Sequence, residues 1–206
     1  MKRRDLLKTG GAAIVLSAGA SQMAFAQDAT IEIPDMVMGA EDAPVEMIEY
    51  ASFTCPHCAR FHEDVWPQLK TDYVETGKVR FIYREVYFDR FGLWASMIAR
   101  CGGEGRFFPF ADLIYKEQRT WGASGDPAVV IDELRKLAKT AGMNDDTLDA
   151  CMADADQAQA LVGWYQANAE RDGISSTPSF LIDGESYANM SYADLKAILD
   201  EKIGDA

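Results

Sequence analysis

Two cysteines separated by two residues give the strongest chemical signal in the sequence. The tetrapeptide Cys55-Pro56-His57-Cys58 stands where a short β-compatible run gives way to a helical pattern. The start of a helix offers free N–H groups and the positive end of the helix dipole. Both favour a thiolate, which is the attacking species in disulfide exchange. The motif and its position therefore predict a redox-active disulfide between Cys55 and Cys58.

The helical pattern predicts different roles for the two sulfurs. Cys55 lies at the helix start and is expected to be the more exposed, attacking sulfur. Cys58 shares an apolar face with Phe61, so it is expected to be buried and to resolve the mixed disulfide. His57 adds a donor beside Cys55, and Pro56 suits the first helical turn. A lowered pKa at Cys55 would make this thiol a good leaving group and its disulfide oxidising.

Two other interpretations of this cysteine pair stay open. A zinc site would need two more ligands from His57, His62, Cys101 or Cys151, and no second Cys-x-x-Cys pair accompanies the first. A pair buried for structure alone is the other interpretation. His62, one turn into the helix, is interpreted as a surface or packing residue.

The elements that position the motif follow a recognisable order. A strand, a helix and a second strand precede a long helical block, and two strands and a helix follow it. The helix after the motif is expected over 55–76, with a kink at Pro67. The strands are expected at 36–38, 45–51, 79–86 and 179–182, and Asp183-Gly184 indicates a hairpin turn.

Composition and charge limit the remaining function classes. The 206 residues are 48% hydrophobic and 26% charged, which is typical of one globular domain or of a domain with an insertion. The formal charge of −13 argues against binding to nucleic acid or to an anionic membrane surface. Four cysteines are too few for a small disulfide scaffold.

The first 26 residues are typical of an export signal. A basic start is followed by a short apolar run and by the small-residue site Ala24-Phe25-Ala26. The pair Arg3-Arg4 resembles a twin-arginine signal, but Lys2 departs from that pattern, so the general export route stays open. Cleavage after Ala26 would remove four basic residues and one acidic residue, which leaves a net charge of −16. The alternative is an ordinary amphipathic first helix.

The hexapeptide Phe53-Thr54-Cys55-Pro56-His57-Cys58 closely resembles the active site of DsbA-type thiol–disulfide oxidoreductases. The resemblance extends over essentially the whole chain after the signal. It implies an α/β chain with a thioredoxin-like fold and an inserted α-helical domain. The implied divisions are a signal peptide over 1–26, the first part of the thioredoxin fold over 27–89, the helical insertion over 90–172 and the second part over 173–206.

The same resemblance implies residues that support the two cysteines. Thr177-Pro178 resembles the cis-proline loop that faces them in this family. It implies that Pro178 keeps metal and stray contacts off the cysteines and that the Thr177 backbone pairs with an extended substrate. Threonine before this proline is also found in isomerase relatives, which leaves the redox role open.

Glu49, six residues before Cys55, resembles the buried acid beneath the active site of the family. If it is buried, it could carry protons to and from Cys58, because a buried acid is costly unless it is solvated or functional. An exposed glutamate at the strand end is the alternative. Its basic partner stays unassigned among three candidates, Arg80, Tyr83 and Arg84.

The other two cysteines fall on apolar sides of predicted helices within the helical block. In an oxidising compartment, Cys101 and Cys151 are expected to form a structural disulfide. Closing their 50-residue loop contributes about 4 kcal/mol in the chain-entropy model. Two buried free thiols are the alternative.

Two further features are interpreted without a catalytic role. The acidic run at Asp145, Asp146, Asp149, Asp154 and Asp156 contains no base and is expected to be a solvated helix face. The aromatic run Phe107-Phe108-Pro109-Phe110 and the pair Tyr87-Phe88 are expected to pack mostly in the core, although they could line a peptide groove.

The resemblance implies a periplasmic dithiol oxidase that works as a monomer. Its expected partners are reduced, unfolded exported proteins and a quinone-linked membrane reoxidase of the DsbB type, and it needs no metal or organic cofactor. A disulfide reductase or isomerase of the same fold is the first alternative. A module that binds exported peptides without redox turnover is the second.

Overall fold

A five-stranded mixed sheet lies at the centre of the protein, of which a computed structural model describes residues 31–205. The strands are β1 Met36–Met38, β2 Val45–Ala51, β3 Val79–Glu85, β4 Ser179–Ile182 and β5 Glu185–Ala188. Their order in the sheet is β1-β3-β2-β4-β5. Only β2 and β3 run parallel, and the other neighbouring pairs are antiparallel. The predicted signal segment 1–26 lies outside the described residues.

The parallel pair decides where the reactive motif lies. The register from Val45 opposite Val79 to Ala51 opposite Glu85 brings the carboxyl ends of β2 and β3 to one edge of the sheet. The chain leaves β2 at this edge and enters the first helix at Cys55. Strand β2 lies between β3, which pairs with its whole length, and β4, which pairs with Met47–Tyr50. Its side chains are mostly buried.

The segment after the motif is broken rather than continuous. Helix α1 runs over Pro56–Asp64, α2 over Trp66–Leu69, and a π-helical turn follows over Lys70–Val74. The prediction of one kinked helix over 55–76 was therefore wrong in its continuity. Pro67 lacks an N–H group and its ring clashes with the carbonyl four residues earlier, which ends the first helix before it.

Six helices connect β3 to β4. They are α3 Arg90–Cys101, α4 Glu104–Lys116, α5 Gln118–Trp121, α6 Pro127–Thr140, α7 Asp145–Ala153 and α8 Ala155–Arg171. A last helix, α9, covers Tyr192–Asp205. No helix among residues 31–205 combines the length and the apolar character that crossing a membrane requires.

Two contacts fix the helical block. The guanidinium of Arg100 in α3 forms two hydrogen bonds to the carboxylate of Glu85 in β3, at 2.6 and 2.7 Å, and both side chains are buried. A disulfide joins Cys101 at the end of α3 to Cys151 in α7, with a Cα–Cα distance of 6.0 Å. The first contact ties the block to the sheet, and the second ties two of its helices together.

The acidic run is a solvent-exposed helix face, as predicted, and two of its five aspartates pair with bases of another helix. Arg135 of α6 lies 3.1 Å from Asp145 and 2.7 Å from Asp149, and Lys139 lies 2.7 Å from Asp145. The bases come from a different helix, so they are not visible within the run itself. The aromatic run is mainly core, because Phe107, Phe108 and Phe110 are all buried. Phe88 is instead 59% exposed.

Candidate active site

The two cysteines of the motif lie at the start of α1, as their spacing predicts. Cys55 is the N-cap residue, and Pro56 occupies the first helical position. The Cys55 side chain is 7% exposed, whereas Cys58 is fully buried inside the same helix. The expected difference in exposure is thus present, although Cys55 is itself largely covered. In this structure both are free thiols.

The helix start strongly favours ionisation of one thiol over the other. A hydrogen bond from the Cys58 thiol, together with backbone N–H groups of Cys58 and His57, lowers the pKa of Cys55 to about 5, although burial acts in the opposite direction. Burial, the hydrogen bond to Cys55 and the nearby Glu49 carboxylate raise the pKa of Cys58 far above its ordinary value. At neutral pH the pair therefore holds one thiolate, at Cys55, and one thiol, at Cys58.

The loop before β4 closes the site from the opposite side. The Thr177–Pro178 peptide bond is cis. The Cys55 thiol lies 3.5 Å from the Thr177 carbonyl oxygen, to which it can donate. The Thr177 hydroxyl is buried and has no hydrogen-bond partner among the described residues. Its closeness to the Cys55 sulfur nevertheless lowers the pKa of Cys55. Residues 122 positions apart in the chain thus meet at one sulfur.

One polar side chain supports the motif in a way that the sequence analysis did not foresee. The Gln118 side chain, at the start of α5, donates to the carbonyls of Phe53 and Cys55 at 2.8 and 3.0 Å. Its amide therefore fixes the turn between β2 and α1. His57 is exposed, and its Nδ1 accepts a hydrogen bond from Arg60 at 2.7 Å. The contribution of His57 to the Cys55 thiolate comes from its backbone N–H, so the prediction that its side chain acts as the donor was wrong.

Glu49 and His62 form a buried pair beneath the cysteines. Glu49 is fully buried, and its Oε2 lies 3.1 Å from Nε2 of His62, whose side chain is 2% exposed. His62 is therefore the partner of Glu49, and the three candidates Arg80, Tyr83 and Arg84 were wrong. The interpretation of His62 as a plain surface or packing residue was also wrong. Its position four residues after Cys58 places both on one helix face, which is the signal that could have identified it.

Charged neighbours keep the imidazole of His62 protonated. Burial alone would lower the pKa of His62, but the carboxylates of Glu49 and Asp112 outweigh it and raise this pKa to about 9. The His62 ring also stacks on Tyr115, with centroids 4.2 Å apart, and the Tyr115 hydroxyl lies 2.6 Å from that of Tyr83. The pair thus lies in an aromatic enclosure, with one titratable carboxylate on each side of the imidazole.

A cavity of about 640 Å³ lies between α1, α2, α4 and α5. Its inner wall includes His62, Trp66, Asp112 and Tyr115. Four cationic side chains also line the cavity, Arg60, Lys70, Lys116 and Arg119. The Asp112 carboxylate, 45% exposed, accepts a hydrogen bond from Trp66 Nε1 at 3.0 Å. The cavity therefore extends from solvent to the buried histidine.

The zinc interpretation of the motif requires further ligands close to the two cysteines. Within residues 31–205, no group of three or more His, Cys, Asp or Glu side chains is arranged to hold a metal ion. Cys101 and Cys151, two of the ligands considered for it, are bonded to each other.

Comparison with known proteins places this arrangement among redox proteins. The family model described as Thioredoxin matches residues 32–201. A Rickettsia bellii protein named provisionally as a protein-disulfide oxidoreductase is 30% identical over 177 residues, covering 85% of this chain and 67% of that protein. Disulfide bond formation protein D of Bacillus subtilis is 22% identical over 183 residues, covering 81% of this chain and 76% of that protein.

Solved structures agree with these matches. The crystal structure of α-DsbA1 of Wolbachia pipientis superposes with a TM-score of 0.75 at 27% identity, covering 85% of this chain and 94% of that chain. The chain spans less of the Rickettsia relatives, between 60% and 67% of their length.

Proposed function

Because the chain belongs to the thioredoxin family and is a protein-disulfide oxidoreductase of the DsbA type, we propose that it is a dithiol oxidase that introduces disulfides into exported proteins. The single observation that carries this proposal is the placement of the two sulfurs, with Cys55 at the N-cap of α1 and Cys58 fully buried, which shifts their pKa values in opposite directions. A thiolate at Cys55 beside a neutral thiol at Cys58 stabilises the reduced form, so the disulfide form is a good oxidant.

The reaction follows from this difference. A substrate thiolate attacks Sγ of Cys55 in the Cys55–Cys58 disulfide, that bond breaks, and Cys58 leaves and takes up a proton. The second substrate thiolate then attacks the substrate sulfur of the mixed disulfide and releases Cys55 as a thiolate. Two substrate thiols are oxidised to a disulfide, and the enzyme disulfide is reduced. The low pKa of Cys55 favours both its role as target and its release.

The substrate would lie along the loop of Thr177 and Pro178. The Thr177 carbonyl faces Cys55, so an extended substrate that pairs with this backbone would place its sulfur at the exposed side of the motif. Phe88, exposed just beyond the carboxyl end of β3, offers an apolar contact at the same edge of the sheet. This combination suits unfolded chains of varied sequence, because backbone pairing and a single apolar contact depend little on which side chains the substrate carries.

The Cys55→Ala variant tests the mechanism directly. We expect this variant to oxidise a reduced, unfolded protein no faster than the uncatalysed reaction, as measured by the loss of free thiols. The matched control is the double variant Cys101→Ser and Cys151→Ser, which removes the other cysteine pair and should keep the normal rate. Oxidation at the normal rate by Cys55→Ala would show that the mechanism is wrong.

A reductase or isomerase role is the second candidate, and Thr177 before Pro178 is the observation that favours it. The reduction potential of the Cys55–Cys58 couple separates the two roles. A potential near the about −120 mV of strongly oxidising thiols supports the oxidase, and one near the about −270 mV of thioredoxin supports the reductase.

The proposed location is the periplasm, after cleavage of the signal following Ala26. The disulfide between Cys101 and Cys151 suits an oxidising compartment, because such bonds rarely persist in the cytosol. The oxidase cycle also requires a reoxidant, for which we propose a quinone-linked membrane protein of the DsbB type. We propose that the enzyme acts as a monomer without a metal or an organic cofactor.

A further inference from the structure

The buried pair of Glu49 and His62 leaves one polar atom free on each partner. Oε1 of Glu49 and Nδ1 of His62 are both buried, and neither has a hydrogen-bond partner within residues 31–205. The other oxygen and the other nitrogen face each other at 3.1 Å. An unpartnered buried polar atom is costly, so such atoms mark a place where a group is exchanged or bound. Here the two unpartnered atoms lie at the outer ends of the hydrogen-bonded pair of Glu49 and His62.

We propose that His62 relays protons between Glu49 and solvent through Asp112 and the adjoining cavity, so that the buried Cys58 can gain and lose its proton. This inference rests on the proposed redox function and adds a route to it. His62 acts through Glu49 and does not itself touch a sulfur, which makes it a positioning and relay residue.

The geometry provides each step of the route. The Glu49 carboxylate lies close enough to Cys58 to raise the pKa of its thiol. His62 Nε2 faces Glu49, and its Nδ1 lies 3.9 Å from Oδ1 of Asp112. Proton transfer requires this distance to shorten to that of a hydrogen bond. Asp112 and His62 both line the cavity, so the outer end of the route reaches water.

The groups packed around the imidazole make it a suitable relay. They come from four elements, and the titratable ones are Glu49 of β2, Cys58 of α1, Tyr83 of β3, and Asp112 and Tyr115 of α4. Burial raises the pKa of both tyrosines well above 10, so they stay neutral and do not compete for the proton. The two carboxylates alone balance the imidazolium.

Protons and electrons balance when the reduced enzyme is reoxidised by a disulfide. The Cys55 thiolate first attacks one sulfur of the reagent disulfide, that disulfide breaks, one reagent thiolate leaves, and a mixed disulfide forms on Cys55. Cys58 then attacks Sγ of Cys55, the bond to the reagent breaks, and a reagent thiolate leaves. Glu49 takes the Cys58 proton at its free Oε1 while His62 releases its Nδ1 proton towards Asp112. The pair keeps its total charge, and one proton passes from Cys58 to solvent. Reduction of the enzyme runs the same transfers in reverse.

The test separates these two steps in one experiment. Reduced full-length enzyme is mixed with oxidised glutathione, the reaction is quenched with acid, and the Cys55–glutathione mixed disulfide is followed by mass spectrometry. In His62→Gln we expect normal formation of the mixed disulfide, because Cys55 alone controls it. We expect its resolution by Cys58 to slow on the order of 10²-fold, the lower end for a positioned proton-transfer group. The mixed disulfide should therefore accumulate.

Further variants keep the result interpretable. Glu63→Gln, an exposed residue of α1 that lines the same cavity, is the matched control and should resolve at the parent rate. Asp112→Asn can still accept from Trp66 and should slow resolution by a smaller factor. In His62→Ala, added imidazole can enter through the cavity and should restore part of the rate, which a merely structural role does not predict.

The outcomes are distinguishable. If the parent enzyme forms no mixed disulfide, the proposed function fails. If the parent reacts and His62→Gln and Asp112→Asn both resolve at the parent rate, the relay is wrong. The relay is also wrong if imidazole leaves His62→Ala unchanged while that variant unfolds cooperatively at the parent temperature.

Discussion

At the scale of single residues, the pKa of Cys55 is lowered and that of Cys58 is raised, although the two residues are only three positions apart at the start of one helix. The N-cap position gives Cys55 backbone N–H groups and a thiol donor, whereas Cys58 has burial and a nearby carboxylate. Helix position therefore decides which sulfur attacks. The reverse assignment of roles is chemically unfavourable, because the fully buried Cys58 holds little thiolate at neutral pH and cannot meet a substrate, so it exchanges only with Cys55.

Thr177→Val tests the contribution of a single hydroxyl. Valine keeps the shape and the backbone carbonyl but removes the hydroxyl that lowers the pKa of Cys55. A hydrogen bond to a charged group is worth about 1.5–3 kcal/mol, so the Cys55 pKa should rise by about one to two pH units. Thiolate absorbance during a pH titration of the reduced protein measures the shift. An unchanged titration curve would exclude this role for the hydroxyl.

Sequence reasoning predicted the reactive residues better than their support. Cys55, Cys58 and the Thr177–Pro178 loop follow from motif and family resemblance, because local spacing encodes a helix start. His62 and Gln118 were missed, since their roles depend on contacts with residues 13 and 63 or more positions away. A lone histidine on an apolar face gives no local sign of its partner.

At the scale of the elements, a buried ion pair adds to the shared aromatic core that holds the helical block on the sheet. Arg100 and Glu85 are 7% and 1% exposed, and both oxygens of the carboxylate accept a hydrogen bond. Removing one partner leaves the other charge buried and unpaired, which costs more than the pair contributes. The pair therefore favours the packing of α3 on β3 in which Arg100 and Glu85 meet.

Arg100→Met should destabilise the protein by about 3–5 kcal/mol, measured by urea denaturation of the oxidised form. The control Arg135→Met removes an arginine that pairs with exposed Asp145 and Asp149, and it should cost no more than about 1 kcal/mol. Adding Glu85→Leu to Arg100→Met should recover much of the loss, because no charge then stays buried. Equal losses in the two single variants would contradict the argument.

The ends of the strands and helices show which features local sequence patterns are enough to predict. The predicted thioredoxin-like fold was confirmed, and the strands lie within a residue of their predicted positions, because Pro44, Gly77 and Asp183-Gly184 mark their ends. The break at Val65 was not predicted, since a proline can bend a helix or end it, and packing decides between these outcomes. The basic partners of the acidic run come from α6, which no reading of that run alone reveals.

At the scale of the whole molecule, the Cys55 thiolate links redox state to stability. The pKa of this thiol is about 5 in the folded reduced protein, below its ordinary value of 9. Such a group stabilises the folded state fully above pH 9, and this contribution is lost as the pH falls through 5. In the oxidised protein the sulfur does not titrate. The reduced protein should therefore lose stability relative to the oxidised protein as the pH falls.

We expect this difference in unfolding free energy to change by about 1.4 kcal/mol per pH unit between pH 6 and pH 8. Urea denaturation of both redox forms at several pH values measures it. Cys58, whose pKa is raised, titrates only in the unfolded state and only near or above pH 9, so it does not disturb this window. A difference that stays constant between pH 6 and pH 8 would refute the linkage.

The contact between Cys55 and Thr177 also sets an order of events during synthesis. The two residues are 122 positions apart, and β2 pairs with β4 across the entire helical block. Residues 177–182 must therefore emerge before the central strand has both neighbours and before the reactive sulfur meets its facing loop. A nascent or truncated chain that ends within the helical block carries the Cys-x-x-Cys motif without the loop that completes the active site. The site for thiol–disulfide exchange is therefore complete only after Thr177 and β4 have been synthesised.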